Sequence, residues 1–298
     1  MRERSSRFYV GSPSRSFNTL RAPSWCRQTV PSNLIHNAAV RALRSVHVTR
    51  YVTPLREGGS LPAIVEGDDD GLYVLKFRGA GQGTRALTAE LLSGEIARVL
   101  GLPVPEIVFM DLDADLARTE PDPEIFSLIK DSAGQNLGLD YLPGSVTFDP
   151  IVEKIDPELA SRIVWFDAFV TNVDRSPRNT NMLMWHRKLW LIDHGATLYF
   201  HHTPGWETGP DRAREPFSRI ADNVLLRKAS RLRDVDASMA AALTPGAIDA
   251  IVSLVPDAWL SDDGSGEGAD ARREGYRRYF TARLDAPRAF VEEAARVR

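Results

Sequence analysis

"FVTNVDRSPRNTNMLMWHRKLWLIDHG", residues 169–195, sets two aspartates, three asparagines and a basic cluster between apolar runs. Asp174 follows an apolar, helix-patterned stretch. Asn179 and Asn181 come five and seven residues later, and "NMLMW", "HRK", "LWLID" reads as a short hairpin that delivers Asp193 ahead of Gly195. Carboxylates and amides at the ends of one hairpin converge on a point. Oxygen donors of this kind suit a hard cation such as Mg²⁺, which binds through one or two carboxylates together with substrate phosphates. Phosphoryl transfer asks for these parts: an Asp to receive the acceptor proton, an Asn and an Asp on the metal, and a Lys on the nucleotide phosphates. Plain turn chemistry also accounts for Asn, Asp and Pro in such a stretch, so the rest of the chain decides.

The chain has 298 residues, 43% apolar and 26% charged, enough for one large domain or two lobes with a full core. A net charge of −3 gives no basic footprint for nucleic acid, so direct nucleic-acid binding is not expected. One cysteine, Cys26, excludes an internal disulfide framework and a multi-cysteine metal site, and it fits a reducing, cytoplasmic setting. No apolar run approaches the length of a membrane span, and no membrane partner is expected. Residues 1–46 differ from the rest, with Arg2, Arg4, Arg7, Arg15, Arg21, Arg27, Arg41 and Arg44 against the single acid Glu3. They are expected to be a disordered Arg/Ser-rich tail or upstream extension rather than a targeting signal.

From Val46 the pattern becomes regular. "VHVTRYVTPL" (46–55), "LPAIVEG" after the turn "REGGS" (56–60), and "LYVLKF" (72–77) after "DDDG" read as strands. "TRALTAELLSGEIARVLGL" (84–102) reads as a helix stopped by Gly101 and Pro103, and "EIVFMDLD" (106–113) and "EIFSLIKD" (124–131) as two further strands. The first part is thus expected to be an antiparallel sheet carrying one helix. After "GLDYLPGS" (138–145) the pattern turns helical. Asp156 caps a helix with Pro157 at its first position, and Leu159, Ile163, Phe166 and Val170 form one buried stripe.

Lys76 ends an apolar strand, which on its own is the habit of a snorkelling edge residue. A functional Lys76 needs a carboxylate on the next helix, and Glu90 and Glu95 are both available. On a helical wheel Glu95 lies inside the arc of Leu91, Leu92, Ile96 and Val99, with Glu90 at its margin, so the wheel favours Glu95. "GAGQGT" (79–84) has the strand–turn–helix setting of a dinucleotide fingerprint, but position 84 is Thr where the last glycine belongs, and no alternating strand–helix units follow. His194, His201 and His202 match no zinc spacing and read as structural, with His194 placed to orient Asp193.

The order of parts resembles kinase-like folds, and most of all the HipA-like kinases in their short form, built mainly of the kinase core. "TAELLSGEIARVLGLPVPE" looks like that family's "NE…lA…lGlpvp" helix, "GLDYLPGS" like its interlobe hinge, "NVDRSPRNTNML" like its N-x-D catalytic loop and "LIDHG" like its DFG equivalent. The resemblance spans roughly 47–200. It implies an α+β, bilobal protein-kinase-like fold: a small antiparallel nucleotide-binding lobe over 47–141 with one helix, and a larger helical catalytic lobe over 142–298. It implies ATP and Mg²⁺ as cofactors, Asp174 as catalytic base, Asp193 as principal metal ligand, and Lys76 on the nucleotide phosphates. Glu90 holds Lys76 in this scheme, with Glu95 as runner-up. Kinase spacing selects Asn179 as the second metal ligand, whereas the "NML" that follows selects Asn181, so both stand. Gly58, Gly59 and Ser60 of "REGGS" would cradle phosphate through backbone amides, although that loop is shorter than a protein-kinase glycine loop. Asp140, Tyr141 and Leu142 would line the nucleotide site.

The acceptor implied is a Ser/Thr hydroxyl on a protein. The alternatives are a small-molecule kinase of aminoglycoside-phosphotransferase type and a non-catalytic ATP-binding pseudokinase. Full-length HipA-like toxins carry an added N-terminal subdomain and pair with a DNA-binding antitoxin. The sequence ahead of the first strand is expected to leave no room for that subdomain, which puts a toxin role in doubt.

Overall fold

The computed structural model describes residues 40–55, 61–81, 83–206, 212–261 and 268–298. They belong to one unit of the chain, Asn37–Arg298; a second unit, Met1–His36, lies outside the described residues, as does the "REGGS" turn with Gly58, Gly59 and Ser60.

Alternating β-branched and polar residues make β1 (Ser45–Pro54), whose first residues alternate exposed and buried. With β2 (Ala63–Gly67), β3 (Leu72–Lys76), β4 (Ile107–Leu112) and β5 (Gly134–Asp140) it closes a barrel in the order β1-β2-β3-β5-β4. Val46, Val48, Val65, Leu75, Val108 and Met110 fill its interior. Closure comes from β1 lying parallel to β4, with Ser45 opposite Phe109, so the sheet is not purely antiparallel as expected. A closed, largely antiparallel barrel also excludes the doubly wound sheet that a dinucleotide fingerprint needs. The glycines on either side of position 82 instead lead into the first helix, with Gly81 and Gly83 at φ of +51° and +65°.

Two expectations for this half are corrected. "EIFSLIKD" is not a strand but a helix, α2 (Pro123–Asp131): Asp122 caps it by accepting from the Glu124 amide at 3.0 Å, Pro123 opens it, and Ile125 and Ile129 bury one face. Among the described residues the half therefore carries two α-helices, α1 (Thr84–Val99) and α2, rather than one, besides a short 3-10 turn at Ala114–Thr119. The fifth strand is "GQNLGLD", a run whose glycines and Asn hide it. Gly138 is needed there because a Cβ would stand 2.5 Å from Met110 Sδ. Asn136 is fully buried yet satisfied, accepting from the Arg78 amide at 2.8 Å and donating to the Ser132 and Gly134 carbonyls. Residues 40–46, at the end of the stretch expected to be a tail, are described, whereas 1–39 lie outside the described residues. β1 starts at Ser45, and Arg44 pairs with Asp69 (2.7 Å) and Glu106 (3.0 Å).

The second half builds around α3 (Pro157–Phe169), capped by Asp156 with Pro157 leading, as expected. It is buried almost all round rather than along one stripe, because Ala160, Val164, Trp165, Ala168 and Phe169 are enclosed too. A sheet of β6 (Val146–Thr147), β7 (Met182–Trp185) and β8 (Lys188–Leu191) follows. Its β7–β8 hairpin turns at His186 and Arg187, with φ of +48° and +62°, a turn whose twist matches the strands. The remaining α-helices among the described residues are α4 (Leu232–Ala242), α5 (Pro245–Ser253), α6 (Asp257–Ser261), α7 (Ala269–Leu284) and α8 (Ala289–Val297). No single helix among the described residues is long and apolar enough to cross a membrane.

Candidate active site

Lys76 ends β3, paired in register with Leu137 of β5, and only 12% of its side chain is exposed. Its Nζ lies 2.6 Å from Glu90 Oε2 and 2.5 Å from Asp193 Oδ1. Burial disfavours the ammonium, but the charges of Glu90 and Asp193 outweigh it and hold the pKa above the ordinary lysine value. Burial likewise opposes the Glu90 charge. Lys76, and then His194, overcome it, and the Glu90 pKa sits below the usual carboxylate range. Glu95, the runner-up, turns instead to Arg98 Nε at 3.0 Å within α1. The helical wheel points to Glu95, the wrong glutamate for Lys76, because α1 is buried on nearly every face and the wheel has no exposed side to measure against.

The same Glu90 Oε2 accepts from the His194 amide at 2.8 Å, fixing the peptide next to Asp193. A second tie sits one turn along α1, where Ser93 Oγ meets Thr197 Oγ1 at 2.6 Å and Thr197 donates to the His194 carbonyl. The His194 ring is buried edge-on against Phe166, with Nδ1 3.4 Å from Glu90 Oε1. His194 thus faces Glu90. His201 and His202 lie apart from Lys76 and Asp193 contacts, with Nε2 atoms 3.2 Å apart and His201 Nδ1 2.9 Å from Tyr276 Oη. Burial first, then the neighbouring His202, Arg85 and Arg272 charges, keeps His201 well below its ordinary pKa.

Asp174 stands on the loop after α3. Its amide donates to Asn172 Oδ1 at 3.0 Å, and its Oδ2 accepts from both Asn179 Nδ2 (2.8 Å) and Asn181 Nδ2 (2.9 Å). Asn181 and Asp193 frame the hairpin from either end: the Ile192 amide donates to the Asn181 carbonyl at 3.1 Å, and the two residues take φ of +47° and +55°. Such backbone is tolerated by Asn and Asp and gathers at functional sites.

Beneath this loop lies a group that the sequence reading did not single out. Arg175 and Asp167 form a fully buried ion pair, Nε to Oδ2 2.9 Å. Asn172 and Asn223 donate to the two Asp167 oxygens at 2.9 and 2.8 Å, and Arg175 Nη1 donates to the Asn181 carbonyl. One network therefore holds Asn172, two residues before Asp174, Arg175 directly after it, and Asn181. The available signal was an Asp inside an otherwise apolar helix, "VWFDAFV", since an acid buried there needs a partner.

Asp140, Tyr141 and Leu142 leave the end of β5. The Asp140 and Tyr141 amides donate to the Glu106 carbonyl (2.8 Å) and the Leu72 carbonyl (2.9 Å), so neither N–H is open to a nucleotide. Burial, followed by the charge of Glu106, pushes the Asp140 carboxyl up to about 6. Among the described residues no group of three or more His, Cys, Asp or Glu side chains is disposed to hold a metal ion. The oxygen donors here are two aspartates and two asparagine amides.

The model of the HipA-like kinase family matches residues 48–273. The chain belongs to the HipA-like kinase family. That membership makes it a kinase-type phosphotransferase and agrees with the resemblance carried by the Lys76, Asp174 and Asp193 motifs. A comparison with curated protein sequences finds no match. Among solved structures, the Golgi casein kinase aligns with a TM-score of 0.40 at 13% identity, over 81% of this chain and 73% of that one. A Helicobacter pylori proinflammatory kinase, CtkA, aligns with a TM-score of 0.43 at 12% identity, over 86% of this chain and 97% of that one. The assignment of this HipA-like kinase rests on the family match.

Proposed function

We propose that this HipA-like kinase transfers the γ-phosphoryl group of ATP to a Ser or Thr hydroxyl on a protein. The reaction would take place in a cleft between a barrel lobe, 47–141, and a helical lobe, 142–298. The observation that carries the reading is Lys76 Nζ held between Glu90 and Asp193, three residues from three separate segments meeting at hydrogen-bond distance. In this reading Lys76 contacts the nucleotide phosphates and Glu90 fixes its position. Asp174 orients the acceptor hydroxyl and takes its proton. Two amide donors hold Oδ2 in place and leave Oδ1 for that proton.

Hard oxygen donors fit Mg²⁺: Asp193 would hold it together with Asn181 and Asn179, whose Nδ2 atoms face Asp174 and so turn their amide oxygens away from it. Asn181, at the hairpin end beside Asp193, suits the role better than Asn179. When bound, Mg²⁺ supplies neutralisation of the charge on the phosphate oxygens. Gly58, Gly59 and Ser60 would cradle phosphate, and Leu142, with the backbone carbonyls of Asp140 and Tyr141, would border the base. Catalysis is then mostly positioning and charge compensation.

Thermal shift of the full chain with ATP, with and without Mg²⁺, tests this against Asp193→Asn. Mg²⁺-dependent stabilisation in the wild type that disappears in the variant is the expected result, followed by labelled transfer to proteins rather than to aminoglycosides. No shift with ATP in either protein would overturn the kinase site.

A further inference from the structure

A cavity of about 160 Å³ opens beside the loop that leads to Asp174. Thr171 and Val173 of that loop line it, Val173 being the residue next to Asp174. Phe200, from the segment after Asp193, and Tyr279 of α7 stack to form an aromatic wall, ring centroids 3.8 Å apart. The cavity therefore touches the chain on both sides of the proposed chemistry.

Its charge is one-sided. The run "RAREPFSR" (212–219) supplies Arg212 and Arg219 to the lining, and α7 supplies Arg283; Glu215 is the one acid among the lining residues. Arg214 of the same run is committed to Asp285 at 2.6 Å. Arg212 and Arg219 are held loosely, by the Thr203 hydroxyl at 3.4 Å and by Asp222 at 4.0 Å. Arg283 donates to the Phe169, Ala168, Ala213 and Glu215 carbonyls and to no carboxylate among the described residues. Thr171 adds two further marks. Its φ is +52°, rare for a β-branched residue, and its Oγ1 is buried with no hydrogen-bond partner among the described residues. Strained backbone and an unsatisfied hydroxyl gather where a ligand completes the bonding.

The geometry points to an acidic side chain of the acceptor protein as the occupant: the cavity takes a Glu or Asp lying close in sequence to the hydroxyl that is phosphorylated. This rests on the reading of Asp174 as the residue that receives the acceptor. Extended chain advances about 3.3–3.6 Å per residue, so a neighbour within about three positions reaches from Asp174 to a site beginning at Val173. The net charge of −3 repels acidic peptides from the protein as a whole, which leaves a local arginine cluster to select them.

Direct binding, followed by fluorescence anisotropy, tests this without any need for turnover. Short peptides with one central Ser, flanked by Glu, by Gln or by phosphoserine, are titrated into the full chain. The same titrations follow for Arg212→Glu/Arg219→Glu and for a control of equal charge change on remote exposed arginines, Arg233→Glu/Arg296→Glu. The Glu peptide is expected to bind about tenfold or more tighter than the Gln peptide in the wild type and the control, with the advantage gone in the cavity variant. Equal binding of the two peptides overturns the proposal, as does an advantage lost equally in the control or gained only with phosphoserine. The ATP-dependent melting shift of the same samples reports separately on the nucleotide site, so loss of one reading is not mistaken for loss of the other.

Discussion

Replacing Lys76 by Met removes the cation from a pair in which Glu90 is fully buried. Methionine fills a similar volume, so lost packing is a minor part of the effect. The two partners of Lys76 lie at almost the same distance, but they do not weigh equally. Asp193 is 46% exposed, and a pair of that kind is worth about 1 kcal/mol or less. Glu90 is left as an uncompensated charge in the interior, a loss of about 3–5 kcal/mol. At about 2–4 °C per kcal/mol for a protein of this size, Lys76→Met should melt roughly 6–20 °C lower near neutral pH. The pH dependence identifies the cause. In the wild type the lowered Glu90 pKa gives stability that is present above the ordinary carboxylate pKa and is lost as pH falls. In the variant burial dominates, the Glu90 pKa is raised, and the penalty is relieved as pH falls through it. The gap between the two proteins should therefore narrow from about pH 8 to about pH 5. Lys76→Met/Glu90→Gln, which keeps an acceptor for the His194 amide, should recover most of the loss. Urea unfolding of the four proteins closes the cycle. A double variant as unstable as the single, or a gap indifferent to pH, would refute the assignment of the energy to Glu90.

Arg175→Met strands Asp167 beneath the catalytic loop with only the two asparagine amides for company; unfolding should show a loss of about 3–5 kcal/mol. Gly138→Ala drives a methyl into Met110 and should destabilise by about 1–3 kcal/mol in urea melts, whereas Gly246→Ala, with open space around it, should cost far less. Asp140 has its folded pKa pushed up to about 6, so its contribution to stability is present below the ordinary carboxylate pKa and is lost as pH rises through that value. Asp140→Asn should then leave the melting temperature unchanged near pH 4 and raise it near pH 8, as read by calorimetry at about those values.

The two helices that begin "DPE" show what the sequence makes legible. Asp156-Pro157-Glu158 reads as a capped helix start, and Asp122-Pro123-Glu124 carries the same signal. The second was overridden by the apolar run "EIFSLI", which in a short segment suits a strand as well as a helix. Strand β5 stayed hidden for the opposite reason: Gly134, Asn136 and Gly138 lower its β propensity, yet close approach to Met110 and a satisfied buried amide are what place them in a central strand. The meeting of Lys76 with Glu90 and Asp193 follows the resemblance to the HipA-like kinases, since the wheel alone points to Glu95. Arg175 and Asp167 were not legible, since pairing across a buried helix end leaves no spacing rule to read.

Helix α1 belongs to the first half by chain position, but its Leu87, Leu91, Leu92 and Ile96 lie in the same apolar cluster as Ile163, Phe166 and Leu191 of the second. The barrel interior is a separate cluster to which α1 contributes nothing. A cut near residue 141 would thus divide the polypeptide without dividing its interior. The amino-terminal fragment would keep a filled barrel and present a greasy helix to solvent, and the carboxy-terminal fragment would lack one wall. Mixed together, the two pieces have a ready-made reason to find each other, and the surface through which they would rejoin is the one that brings Glu90 to His194.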